Sequence, residues 1–149
     1  IAAAELLENE WDVSADVWSV TSFNELRRDG IDAERWNMLH PGKKKRIPYI
    51  SQQLAKTKGP VVAATDYMRT YADQVRNYID RTYIVLGTDG FGRSDMRAAL
   101  RRFFEVNRYY VVVAALMALA EEGEVDAKTV TAAIKQYGID PEKPNPVTV

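Results

Sequence analysis

The chain contains no cysteine, which excludes disulfide frameworks and thiolate metal sites and fits a reducing, cytoplasmic setting. Histidine is nearly absent as well: His40 is the only one, and it precedes Pro41 at what reads as a helix end, a C-capping place more than a catalytic one. No Ser/His/Asp arrangement can be completed around it. Neither sign of charge dominates, since 20 basic and 21 acidic groups leave a net charge of −1. No long-range field would draw the molecule onto nucleic acid or an anionic membrane. The longest apolar run, Tyr109 to Ala120, is about twelve residues, too short for a bilayer, which takes about twenty. It reads as a buried helix. No basic segment leads into an apolar core at the N-terminus, so nothing suggests export.

What is present fits one globular domain spanning residues 1–149, with 46% hydrophobic residues for a core and 28% charged residues for its solvated surface. The organising stretch is YIVLGTDGFGRSDMRAALRRFF, Tyr83 to Phe104. It predicts a buried strand (Tyr83 to Leu86), a loop with glycines at 87, 90 and 92, and a helix whose start is marked by Ser94 and Asp95. Open α/β sheets place ligands at such turns.

Ahead of it, Ala2 to Glu8 are strong helix formers, and Ala15 to Thr21 alternates as a strand, with Val17 and Ser19 on one face and Asp16, Trp18 and Val20 on the other. Ser22 can cap a short helix over Phe23 to Arg28 that stops at Asp29 and Gly30. Asp32 can cap another over Ala33 to Leu39, closed by His40-Pro41-Gly42. Pro48 opens a helix ending near Lys56. Val61 to Thr65 predicts a strand buried on both faces, and Asp66 can cap a helix over Tyr67 to Ile79. Three helices follow the glycine loop, the last two over Tyr109 to Glu122 and Ala127 to Tyr137, the latter capped by Asp126. The proline-rich tail should be extended. The order predicts an α/β fold of three layers, a mostly parallel sheet with helices on both faces. Three strands are few for so many helices. Because the chain opens on Ile1 in what reads as mid-helix, a first strand is expected ahead of it.

Two motifs invite a functional reading. GTDGFGRS, Gly87 to Ser94, is within one residue of the phosphate loop G-x-x-x-x-G-K-[ST], and strand and helix flank it correctly. A small nucleotide-binding module built on this loop would use Gly87, Asp89, Gly90, Gly92, Arg93, Ser94 and Asp95. Against it, Arg93 stands where lysine belongs, Asp89 puts negative charge inside the cradle, and the strand-terminal Asp66 lies upstream rather than downstream. The preferred reading is structural: the glycines supply positive φ and Ser94 or Asp95 caps the helix. TDG at Thr88 to Gly90 is no thiamine diphosphate motif either, because Asn107 stands alone downstream where paired asparagines would be needed. No catalytic, cofactor-holding or metal-ligating residue is assigned. Lys43 to Arg46 reads as a solvated loop. Tyr109 and Tyr110 beside Val111 to Val113 concentrate enough apolar surface to meet a neighbouring domain or subunit, so a stand-alone protein-interaction domain is a further alternative.

The strings DVWSVTSFNELRRDG, ERWNMLHP, ATDYM, VLGTDGFGRSD and FFEV resemble the C-terminal domain of the homodimeric-type pyruvate dehydrogenases, the decarboxylating component, over essentially all of the chain. The resemblance implies a transketolase C-terminal-like fold, a mostly parallel five-stranded sheet between helices. It implies that thiamine diphosphate, magnesium and the catalytic residues belong to other domains of the dimer. This domain would then complete the scaffold, with the rest of the enzyme, a second subunit and the lipoyl acetyltransferase of the complex as partners. On that reading the chain is the C-terminal domain of a larger enzyme, cut short at its N-terminus and inactive alone.

Overall fold

Ser22 marks the first sharply set boundary in the chain: its backbone is extended and its hydroxyl accepts a hydrogen bond from Glu25 N–H at 3.2 Å, satisfying one of the orphan donors of a helix start. In the computed structural model, which describes Ile1–Val149, the order is α1 (Ala2–Trp11), α2 (Phe23–Leu39), α3 (Tyr49–Leu54), β1 (Val61–Ala64), α4 (Arg69–Asp73), β2 (Tyr83–Leu86), α5 (Arg97–Phe103), α6 (Arg108–Glu121) and α7 (Ala127–Gln136). Single 3-10 turns cover Arg76–Tyr78 and Pro146–Thr148.

β1 and β2 pair in parallel, Val61 against Tyr83 through Ala64 against Leu86. Such a pair needs a crossover connection, supplied by α4 and the 3-10 turn. Because strand side chains alternate, Tyr83 and Val85 share one face, where they pack with Ala72, Val75 and Tyr78. α6 packs against both strands, and alternation puts it on the other face. The α/β class and the parallel sheet with helices on both sides are therefore as the sequence implies. On its far side α6 gives Val112 and Leu116 to a second cluster with Leu7 of α1 and Val130 and Ala133 of α7.

Several local expectations are corrected. Ala15 to Thr21 forms no strand: Ser14 to Thr21 make no backbone–backbone hydrogen bonds, and Trp18 is 53% exposed. Alternation creates a strand only where a neighbour completes the ladder. The helices expected over 23–28 and 33–39 are one, α2. Gly30 does not stop it, since a Cβ there would lie 2.3 Å from the Tyr78 ring, so glycine is needed for the close approach and the helix continues. Asp32, inside that helix, pairs with Arg46 instead of capping. The helix expected over Tyr67 to Ile79 is reduced to α4 and a 3-10 turn, and Asp66 binds Arg101 rather than capping it. The tail ends in a 3-10 turn capped by Asn145 rather than staying extended.

By length and composition Arg97–Glu121 would pass for a membrane span. The chain breaks there between Phe104 and Asn107, where Glu105 has a left-handed φ of 62° and Asn107 caps a new helix. α6 alone, at 1.5 Å per residue, rises only about 21 Å, short of the roughly 30 Å hydrocarbon core.

Candidate functional site: the glycine corner

The corner after β2 is held by its neighbours on three sides. A Cβ on Gly87 would lie 2.7 Å from both Arg69 N and Tyr67 O, so only glycine lets the two strand-exit loops come this close. They are joined there by a hydrogen bond from Thr88 N–H to the Tyr67 carbonyl, 2.9 Å. The Asp89 carboxylate then accepts from Arg69 N–H, the first amide of α4, at 3.2 and 3.3 Å. A negative charge at a helix start suits both the orphan amides and the helix dipole. Arg69 Nε lies 3.4 Å from Asp89 Oδ2, within ion-pair range but without hydrogen-bond alignment. Gly90 has φ +124°, and its missing Cβ leaves room for the Pro146 carbonyl, which would stand 2.5 Å away.

Beyond Gly90 the loop opens to solvent. Gly92 has open space around it, so of the three glycines only Gly90 supplies a positive φ, a correction to the expectation that all do. The Arg93 guanidinium lies over the Phe103 ring at 4.2 Å, a cation–π contact that turns it away from the loop. Asp95 accepts only from the next amide, Met96 N–H, at 2.6 Å. α5 begins at Arg97 with Met96 at the cap and no side-chain cap bond, so neither Ser94 nor Asp95 caps it as expected. Arg101 of α5 reaches back to Asp66 after β1 in a two-point ion pair, Nε to Oδ1 at 3.1 Å and Nη2 to Oδ2 at 2.5 Å, and the hydrogen bond to that carboxylate holds its proton more tightly than usual.

Thus Gly87, Asp89 and Gly90 form the corner itself, Gly92, Ser94 and Asp95 lie in the open part of the loop, and the two charged side chains nearest the would-be cradle, Asp89 and Arg93, are engaged with α4 and Phe103. The residues present do not fit thiamine diphosphate and magnesium. Asp89 is tied to α4, Asn107 accepts from Tyr109 and Tyr110 N–H as the cap of α6, and no cluster of three or more His, Asp or Glu side chains is disposed to hold a metal ion.

Elsewhere, His40 does close α2: its Nδ1 lies 2.8 Å from the Trp36 carbonyl and its ring stacks on Trp36 at 4.4 Å. Within the Lys43 to Arg46 run, Arg46 covers Trp36 at 4.5 Å and is clasped through its backbone by Asn37. Sequence reasoning missed the groove between α2 and α4, lined by Arg27, Glu34, Asp73, Arg76, Asn77 and Tyr78. Within it Arg76 pairs with Asp73 at 2.6 Å, and Tyr78 Oη donates to Glu34 at 3.2 Å. Burial first, then Glu34, pushes the Tyr78 hydroxyl pKa up. No sequence signal links these residues, because the groove unites Arg27 and Glu34 with a segment that begins more than thirty-five positions further on.

Residues 1–107 match the transketolase-like TK C-terminal domain family. The chain is similar to the pyruvate dehydrogenase E1 component of Pseudomonas aeruginosa, 58% identical over 146 residues, 97% of this chain and 17% of the relative. It is similar to that of Cupriavidus necator, 53% identical over its whole length and 17% of the relative, and to that of Escherichia coli K12, 57% identical over 97% of the chain and 16% of the relative. The chain thus spans about one-sixth of the length of the curated relatives it matches.

Proposed function

The chain belongs to the transketolase-like TK C-terminal domain family, and from that membership we propose that it is the C-terminal scaffold domain of a homodimeric, thiamine-diphosphate-dependent pyruvate dehydrogenase. That enzyme would decarboxylate pyruvate oxidatively in the cytoplasm and pass the acetyl group to the lipoyl carrier of an acetyltransferase. Thiamine diphosphate and magnesium would be held by its other domains, and this one would contribute packing and assembly. The observation that carries the reading is the 53–58% identity to E1 components maintained over 97–100% of the chain. The internal engagement of Asp89, Arg93 and Asn107 agrees with a structural corner.

The test is removal of this domain from the complete enzyme. Without it, the dimer is expected to be lost in sedimentation velocity and pyruvate turnover with it. A fully active dimer lacking the domain would overturn the proposal. The 149 residues alone are expected to give no heat with thiamine diphosphate in titration calorimetry.

A further inference from the structure

α5 has little burial to hold it. It contributes no buried residue, starts without a side-chain cap bond and, in contrast to α6, shares no extended packing surface with any other helix or strand. Ahead of it, residues 90–98 are all exposed, and residues 89–95 make no backbone–backbone hydrogen bond. Both ends of this stretch are nevertheless fixed, since Asp89 is bonded to α4 and Phe104 and Val106 are buried. We propose that residues 91–103 are a strap, latched down by charge, that opens as a unit while both apolar clusters stay folded. The inference rests on the fold and not on the scaffold reading above.

Three observations support it. First, beside the half-buried Ala99 and Leu100 and the edge contact of Phe103 with Phe104, the contacts holding the strap each use a cation. Arg101 grips Asp66 after β1 at 3.1 and 2.5 Å, and Arg102 Nη2 donates to the Gly138 carbonyl at 2.7 Å. The Phe103 ring meets Arg93 at 4.2 Å and Lys143 Nζ at 5.0 Å, and Lys143 also donates to the Phe103 carbonyl. The side chains of Arg101 and Asp66 are 43% and 54% exposed, so salt screens their pair. Second, the strap carries four arginines against one aspartate, and Arg97 and Arg101 stand one turn apart on α5, where like charges repel. Third, α5 has seven residues, well short of the roughly 12–15 that an isolated helix needs in water. Once the latch lets go nothing keeps it wound, so release and unwinding are one event. α6, with Val112 and Leu116 fully buried, stays. Segments with few buried apolar contacts are those that open without global unfolding. Opening frees the Asp66 carboxylate at the end of the sheet, and local ionic strength sets how often it is free.

The test is amide hydrogen exchange, read by mass spectrometry, in the full-length enzyme. At about 0.05 M KCl the amides of α5 are expected to exchange roughly a hundredfold faster than those of α6. Raising KCl to about 0.5 M should speed α5 by a further factor of about two to five, what screening one exposed ion pair is worth, and leave α6 unchanged. Asp66→Asn should bring the low-salt rate up to the high-salt rate and abolish the salt response. Equal protection of α5 and α6, a salt response shared by both, or an undiminished salt response in Asp66→Asn would overturn the proposal. Should that variant fail to fold, the salt series in the unmodified enzyme still decides, because α5 exchange indifferent to KCl refutes the latch. Pyruvate turnover does not enter the readout, so failure of the strap and failure of the scaffold reading are told apart.

Discussion

The two packed regions on either side of the sheet are built from different materials. On one side α1, α6 and α7 meet through Leu7, Val112, Leu116, Val130 and Ala133, all aliphatic. On the other, α2, α4 and the strands enclose Val75 and Ala72 together with Tyr78 and Tyr83, whose hydroxyls must find partners. Tyr83 donates to the Ala72 carbonyl at 2.8 Å, and Arg76 hydrogen-bonds the Tyr83 carbonyl at 2.9 Å and covers its ring at 5.1 Å. The buried centre of the first region is held by filled volume, with its polar bonds at the partly exposed rim between Trp11, Tyr137 and Glu10, and the second by volume plus a set of polar bonds that buried groups cannot forgo.

The largest effect that would sharpen this contrast is Leu116→Ala. Leu116 is fully buried, and its loss should destabilise the chain by about 2–5 kcal/mol in urea unfolding. A smaller value would mean the aliphatic side can collapse around the cavity. Next is Gly30→Ala on the tyrosine side. The clash with Tyr78 should cost roughly 1–3 kcal/mol, outweighing the gain of about 1 kcal/mol from helix propensity, because the Tyr78 hydroxyl is anchored on Glu34. In a Tyr78→Ala background the sign should reverse, and persistence of the penalty there would show that the ring is not its cause.

Tyr83→Phe should destabilise by about 1 kcal/mol, the net worth of one hydrogen bond. Burial, then Asp73, pushes the Tyr83 hydroxyl pKa up to about 12 from its ordinary 10.0. The folded state therefore favours the protonated form, and this stability is complete below pH 10 and lost as pH rises from 10 toward 12. Thermal melts across that window should fall less steeply for Tyr83→Phe than for the parent chain; parallel curves would assign the alkaline loss to other groups. Smallest is Arg28→Ala. Its pair with Glu25 is 2.6 Å long but exposed on both sides, so a change of no more than about 0.5 kcal/mol is expected, vanishing in salt.

The same contrast explains what could be read in advance. Aliphatic periodicity gave α6 and α7 nearly to the residue, and the local caps Ser22 and Asp126 are bonded as their positions imply. Five strings spread from DVWSVTSFNELRRDG to FFEV suggested the family. What escaped depends on partners remote in sequence. Asp29 accepts from Tyr49 N–H at the start of α3, and Asp89 does the same at the start of α4, each twenty positions away. A cap supplied from elsewhere leaves no local pattern. Gly30 looks like a stop until Tyr78 is seen above it, and Ala15 to Thr21 looks like a strand although no neighbour pairs with it. At the corner, the positions of the glycines were legible and their separate roles were not.

Trp11 Nε1 donates to the Tyr137 hydroxyl at 2.7 Å, which in turn donates to Glu10 at 2.7 Å, across 126 positions of sequence. During translation the inner face of α1 therefore emerges well before the helix that closes over it. At about 5–20 residues per second, it waits roughly 6–25 s beside the ribosome, a nascent apolar stripe to which a chaperone has access until the last helix is made.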